Sequence, residues 1–165
     1  MKKRGFSPVL DENTEILVLG SLPSDESILK QQYYGNPGND FWRLLGGALG
    51  EDLQEMEYEK RLETLKRHGV GLWDVFEAGV REGSLDSELR DEDINDFSML
   101  KKKAPKLRLV CFNGKKAGKY ECLLKAHGYE TKVLPSSSGA NRRYSKKRIE
   151  EWKAVFKPHN SGEEQ

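Results

Sequence analysis

Four short apolar runs constrain this chain more than any other feature: EILVLG (15–20), VGLWDV (70–75), LRLVCF (107–112) and TKVLP (131–135). Each is rich in β-branched or apolar residues, bounded by turn residues, and reads as a strand. Helix-like segments lie between them. DFWRLLGGALG follows Asn39, a good N-cap, and Gly50 ends it. YEKRLETLKRHG (58–69) places Leu62 and Leu65 on one face and stops at Gly69. KKAGKYECLLKAHG (115–128) repeats that logic with Tyr120, Leu123 and Leu124, stopping at Gly128. SKKRIEEWKAVF (145–156) starts at a Ser145 cap and carries an Ile149, Trp152, Val155, Phe156 stripe.

Strands alternating with helices require crossover connections, so the expected fold is α/β, a three-layer α/β/α sandwich around a mainly parallel four-stranded sheet. One domain over 1–157 is expected, with 158–165 a disordered tail. Residues 81–103 are polar and turn-rich, read as a helix plus a loop. In open parallel sheets ligands sit at the carboxyl ends of the strands, which singles out the loops after 20, 75, 112 and 135. Three of these open on conspicuous residues: GSLPS, FNGKKA and LPSSSGANRR. The first continues into QQYYGNPGNDFW, far more side-chain chemistry than a connection needs.

Charge adds a second constraint. The net charge is only +1, yet Lys101 to Arg148 holds 15 Lys and Arg against Glu121 and Glu130. From Leu49 to Leu100 the balance reverses, 6 basic against 15 acidic. One positively charged face is expected, the footprint of a phosphate-backbone partner. No apolar run approaches the roughly 20 residues that span a bilayer, and the basic start MKKRGFSPVL lacks a signal peptide's apolar core. Cys111 and Cys122 are too few for a structural zinc site. A reduced, cytoplasmic, monomeric protein without metal or other cofactor is expected.

The three loops, each after a predicted strand and in this order, together resemble the uracil-DNA glycosylase superfamily. The wording GSLPS…YY…P…NDFW, with LWDVF, GSLDS, CFNGKKA and LPSSS, is most similar to its hypoxanthine-DNA glycosylase branch. The resemblance covers about residues 15 to 156. It implies hydrolysis of the N-glycosidic bond of a deaminated base in DNA, hypoxanthine first and uracil or xanthine second, leaving an abasic site. The iron–sulfur branch needs four cysteines and is excluded. The asparagine that orients water in the mismatch-specific branch would fall at Leu22, which cannot do so; a later asparagine, matching Asn39, is implied instead.

The resemblance further implies a role for each loop. Tyr34 stacks on the flipped base, and Asn39 orients a water toward the sugar, with Asn36 as its rival. Asn113 pairs with the base edge, while the main chain at Ser21 and Leu22 supplies donors to the base carbonyl. Ser136, Ser137, Ser138, Asn141, Arg142, Arg143 and Lys115 contact the DNA backbone, and Gly139-Ala140-Asn141 offers no bulky wedge. Asp74 is a candidate accessory group that orients loop amides or assists a water. Each residue has a plainer reading: Asn39 caps a helix, Asn113-Gly114 is a turn, the tyrosines are core, and Asp86 and Asp96 are caps. Leu22 also keeps open a DNA-binding module that has the fold without the chemistry.

Overall fold

The computed structural model describes residues 2–80 and 90–161, the side chains of 80, 90, 91, 143, 144 and 157–161 excepted. Asp86 and the GSLDS segment lie outside the described residues. The four apolar runs form β2 (Ile16–Gly20), β3 (Val70–Asp74), β6 (Leu109–Asn113) and β7 (Glu130–Leu134). They make one all-parallel sheet in the order β3-β2-β6-β7. Ile16, Leu17, Val18 and Leu19 are all completely buried, because a parallel sheet with crossovers is covered on both faces.

The two faces carry separate cores. Ile16, Val18, Val70, Leu72 and Cys111 pack against α2 (Phe41–Leu49), α3 (Tyr58–Arg67) and α7 (Ser145–Ser161) through Phe41, Trp42, Leu45, Leu65, Trp152 and Phe156. Leu17, Leu19, Trp73, Val110 and Phe112 pack against Phe97, Leu100, Ala117 and Leu124. These come from the 3-10 turn Phe97–Met99, α4 (Leu100–Lys103), α5 (Lys115–Gly118) and α6 (Glu121–Ala126). Full burial stabilises each large apolar side chain by roughly 1.5–3 kcal/mol, so these faces supply most of the driving force. The three-layer sandwich is as expected.

Three local expectations change. The 81–103 stretch contributes an antiparallel strand, β5 (Arg90–Ile94), which pairs with β4 (Phe76–Val80); β4 pairs in turn with β1 (Lys3–Arg4). The helix expected over 115–128 is broken at Lys119–Tyr120 into α5 and α6. Gly118 lies there against Val133, where an added Cβ would come within 2.9 Å of the valine methyls. The last helix runs beyond 156 to Ser161, into the segment expected to be disordered. A helix that sequence inspection missed, α1 (Asp25–Lys30), is capped by the Ser24 hydroxyl, which accepts from the Ser27 N–H at 3.1 Å.

Chain order dictates where a ligand can sit. From β2 the chain crosses to β3 on one side, then to β6 on the other, so the winding reverses between β2 and β6. The carboxyl ends of these two strands splay open a crevice there.

Candidate active site

A cavity of about 850 Å³ occupies that crevice. Gly20, Ser21 and Leu22 line it from the end of β2, Asp74 from β3, and Asn113 to Lys116 from β6. Tyr34, Asn36 and Asn39 line it from the loop before α2, and Ser136 to Asn141 from the loop after β7. Tyr34, Asn39 and Asn113, singled out from sequence, are thus brought together, and the cavity lies where the carboxyl-end rule puts it.

The tyrosine pair divides its labour. Tyr33 is core: 3% exposed, its hydroxyl donates to the Ser7 carbonyl at 2.8 Å, and burial drives its phenol above the ordinary range. Tyr34 is held in a left-handed backbone (φ 54°), which costs a non-glycine residue about 1–3 kcal/mol. Two contacts from the Phe-Trp pair offset that strain. Phe41 stacks on the Tyr34 ring (centroids 3.8 Å apart, planes at 12°), and the Trp42 indole N–H is shared between the carbonyls of Tyr33 and Tyr34 at 3.2 Å. The Tyr34 hydroxyl and Asp74 Oδ1 converge over Gly20, where a Cβ would stand 2.7 and 2.8 Å from them. A larger residue there would push one or both of these side chains aside.

A chain of hydrogen bonds joins three loops. The Ser137 N–H donates to Asn113 Oδ1 at 2.9 Å, so the other end of that amide is Nδ2, which donates to Ser137 Oγ at 2.9 Å and Tyr34 OH at 3.2 Å. Ser137 Oγ donates onward to Asn39 Oδ1 at 2.7 Å, and the same oxygen accepts the Phe41 N–H at 2.9 Å. One expectation is corrected here, at Ser137. Asn113, 7% exposed, lines the cavity with both amide hydrogens and one lone pair engaged by Ser137 and Tyr34, so it also braces the site. Ser137 is completely buried and cannot touch a phosphate. The expected N-cap shifts by one: Asp40 occupies that position without a side-chain capping bond, and Asn39, just before it, accepts the first helical N–H, that of Phe41.

Sequence inspection missed the charged cluster beneath this chain. Asp40, 3% exposed, accepts from Arg148 at 2.7 Å, from Arg142 at 3.0 and 3.1 Å, and from Arg43 at 2.8 Å. Burial pushes its carboxyl up, but the Arg142 and Arg148 hydrogen bonds outweigh this and hold it below the usual carboxylate range. Arg148, 2% exposed, also donates to the carbonyls of Ser136 and Ser138 at 3.1 and 3.3 Å. One signal was available: Arg148 and Trp152 are four residues apart on one helical face, and a charge on an apolar face demands a buried partner.

The rim keeps part of the expected phosphate set. Lys115 is exposed; Ser136 and Ser138 are half-buried. Arg142 is exposed but tethered, donating to Asp40 and to the Gly38 carbonyl at 3.1 Å. Asn141 folds back, its Nδ2 donating to the Ser136 carbonyl at 3.2 Å; Ala140 is the exposed tip, and Gly139 lies flush against the Gly38 carbonyl. The Arg143 side chain lies outside the described residues. Leu22 is buried at 7% with its side chain in the second core. Lys101 sits over the Tyr129 ring, and Lys106 and Arg108 precede β6, so these three basic residues lie at the amino end of the sheet, away from Lys115 and Arg142 at the cavity. No helix among the described residues is long and apolar enough to cross a membrane.

Comparison with known proteins agrees with this architecture. A family model described as Uracil DNA glycosylase superfamily matches residues 7–158. A hypoxanthine DNA glycosylase from Methanosarcina acetivorans is 74% identical over 157 residues, 95% of this chain and 99% of that protein. A second, from Methanosarcina barkeri, is 66% identical over the same shares. A solution NMR structure of a candidate uracil DNA glycosylase from Methanosarcina acetivorans has a TM-score of 0.89 at 73% identity, covering 96% of this chain and 99% of that one.

Proposed function

The chain belongs to the uracil DNA glycosylase superfamily, and from that premise we propose that it is a monofunctional DNA glycosylase releasing hypoxanthine, with uracil and xanthine as further substrates. The observation that carries this reading is the convergence of Tyr34, Asn39 and Asp74 on one cavity at the switch point of the sheet. Two close relatives are hypoxanthine DNA glycosylases, which supports the choice of base.

Breaking an N-glycosidic bond develops positive charge on the sugar and negative charge on the departing base. The enzyme flips the nucleotide from the stack, holds the base in a water-poor pocket and opposes that charge with fixed dipoles. Tyr34 supplies a stacking surface, worth roughly 1–3 kcal/mol per base. Asn39 is the catalytic residue, and Asp74 is a polar accessory on the cavity wall. The main chain around Ser21 and Leu22 meets the base carbonyl. Ser136, Ser138, Lys115, Asn141, Arg142 and Arg143 form the face for the DNA backbone. Water completes the hydrolysis and an abasic site remains for base excision repair. The protein acts as a cytoplasmic monomer on DNA.

The test uses end-labelled duplexes carrying one deoxyinosine, deoxyuridine or deoxyxanthosine, incubated with protein and then treated with alkali. Strand breaks at deoxyinosine that vanish in Asn39→Ala are expected. Breaks at deoxyuridine alone would keep the enzyme class and overturn the base assignment. No break in any duplex, with binding retained, would sink the reading and leave a binding module.

A further inference from the structure

We propose that Ser137 is a positioning residue that fixes Asn39 with its amide nitrogen, not its oxygen, offered to the cavity, so that Asn39 works as a hydrogen-bond donor to the departing base. The inference rests on the glycosylase reading and concerns how Asn39 serves it.

Amide orientation is ordinarily a choice between two look-alike atoms. Here two backbone N–H groups, which can only donate, remove the choice. The Phe41 N–H ends on one atom of the Asn39 amide, so that atom is oxygen. The Ser137 N–H ends on one atom of the Asn113 amide, so that atom is oxygen and the other is nitrogen. Asn113 Nδ2 donates to Ser137 Oγ, which directs the Ser137 proton away from Asn113 and toward the oxygen of Asn39, 2.7 Å distant. The polarity therefore runs one way through the chain.

The consequence for Asn39 follows from its inventory. A carboxamide oxygen has two lone pairs, and both are taken, by Phe41 N–H and Ser137 O–H. Its Nδ2 makes no hydrogen bond among the described residues, and the residue lines the cavity at intermediate exposure. A donor of this kind suits an acceptor that gains negative charge as the bond breaks, a ring nitrogen or carbonyl of the leaving purine. It does not suit the polarising of a water, which needs the oxygen. Donation to the departing base thus takes the place of the expected water-orienting role of Asn39.

The experiment measures single-turnover cleavage and the Kd of deoxyinosine duplexes for wild type, Asn39→Ala, Asn39→Asp, Ser137→Ala and Ser137→Thr, with thermal melts alongside. Asn39→Asp keeps the acceptor that caps Phe41 and accepts from Ser137 while deleting the donor. It should be as slow as Asn39→Ala, about 100-fold below wild type, the usual loss of one transition-state donor. Ser137→Ala should lower the single-turnover rate with Kd unchanged, and Ser137→Thr, which keeps the hydroxyl, should restore it. Asn39→Asp within threefold of wild type, or faster, would show that the oxygen does the work and overturn the proposal. So would Ser137→Ala at the wild-type rate. An active Asn39→Ala would instead overturn the catalytic role of Asn39, and an inactive wild type the glycosylase reading, so these failures are distinct.

Discussion

Replacing Asp40 with asparagine tests the charged cluster under the site, because it removes one charge and little volume. Asp40 and Arg148 are 3% and 2% exposed and 2.7 Å apart. Breaking a buried pair from one side costs about 3–5 kcal/mol, since the surviving charge stays in a poor solvent. Two features place this case at the lower end. Arg148 keeps the carbonyls of Ser136 and Ser138, and an asparagine oxygen still accepts one guanidinium N–H. The Arg142 and Arg43 side chains are 52% and 63% exposed, so each of those pairs adds about 0–1 kcal/mol. The expected loss is therefore about 3 kcal/mol, or roughly 6–12 °C in Tm for a chain of this size. Urea and thermal unfolding at neutral pH measure it, and Asp40→Asn/Arg148→Met, which leaves no orphaned charge, should be more stable than Asp40→Asn. An Asp40→Asn variant within about 0.5 kcal/mol of wild type would refute the reasoning. The pH dependence has a definite sign. The folded carboxyl titrates below its unfolded value of about 3.9, so its stabilisation is complete above that value and lost as pH falls through the lowered one. The gap between wild type and variant should close in acid.

Three further outcomes are expected. Tyr34→Phe keeps the ring and should lose about 1 kcal/mol of stability with the Asn113 bond, whereas Tyr34→Ala should lose roughly 1–3 kcal/mol of binding to an inosine duplex; equal binding by the two would remove stacking from the account. DNA affinity should fall linearly in log salt, and Lys115→Ala should reduce that slope by about one, an unchanged slope meaning that Lys115 meets no phosphate. Burial pushes the Cys111 thiol up to about 12, while Cys122 is exposed, so mass spectrometry after mild alkylation should find Cys122 modified and Cys111 intact unless the protein is unfolded.

Three of the parallel strands were legible as short apolar runs buried on both faces, the edge strand β7 as a short run with only Leu134 buried, and the carboxyl-end rule then located the cavity. The small antiparallel sheet was not, since Arg90–Ile94 reads RDEDI and carries no apolar pattern. Among site residues, Tyr34 and Asn39 were legible from the crowded loop before α2 and its place after a predicted strand, but the strain at Tyr34 was not. The bracing role of Asn113, the burial of Ser137 and the Asp40–Arg148 pair were not, because they depend on partners 24 to 108 positions away. Local sequence carries no record of such partners. The one exception was Arg148, whose place on the Trp152 face announces a partner without naming it.

The spacing of those partners also bears on how the molecule is made. Asn39 meets Ser137 across 98 positions and Asp40 meets Arg148 across 108. A chain emerging from the ribosome, N-terminus first, completes β2, β3 and α2 well before Arg148 of α7 exists, and closing such long loops carries an entropic toll that only late packing repays. A chain that ends before α7 lacks Trp152 and Phe156 of the first core and Arg148, the partner of Asp40 and of the Ser136 and Ser138 carbonyls. The crevice is therefore expected to be the last part of the molecule to assemble during synthesis.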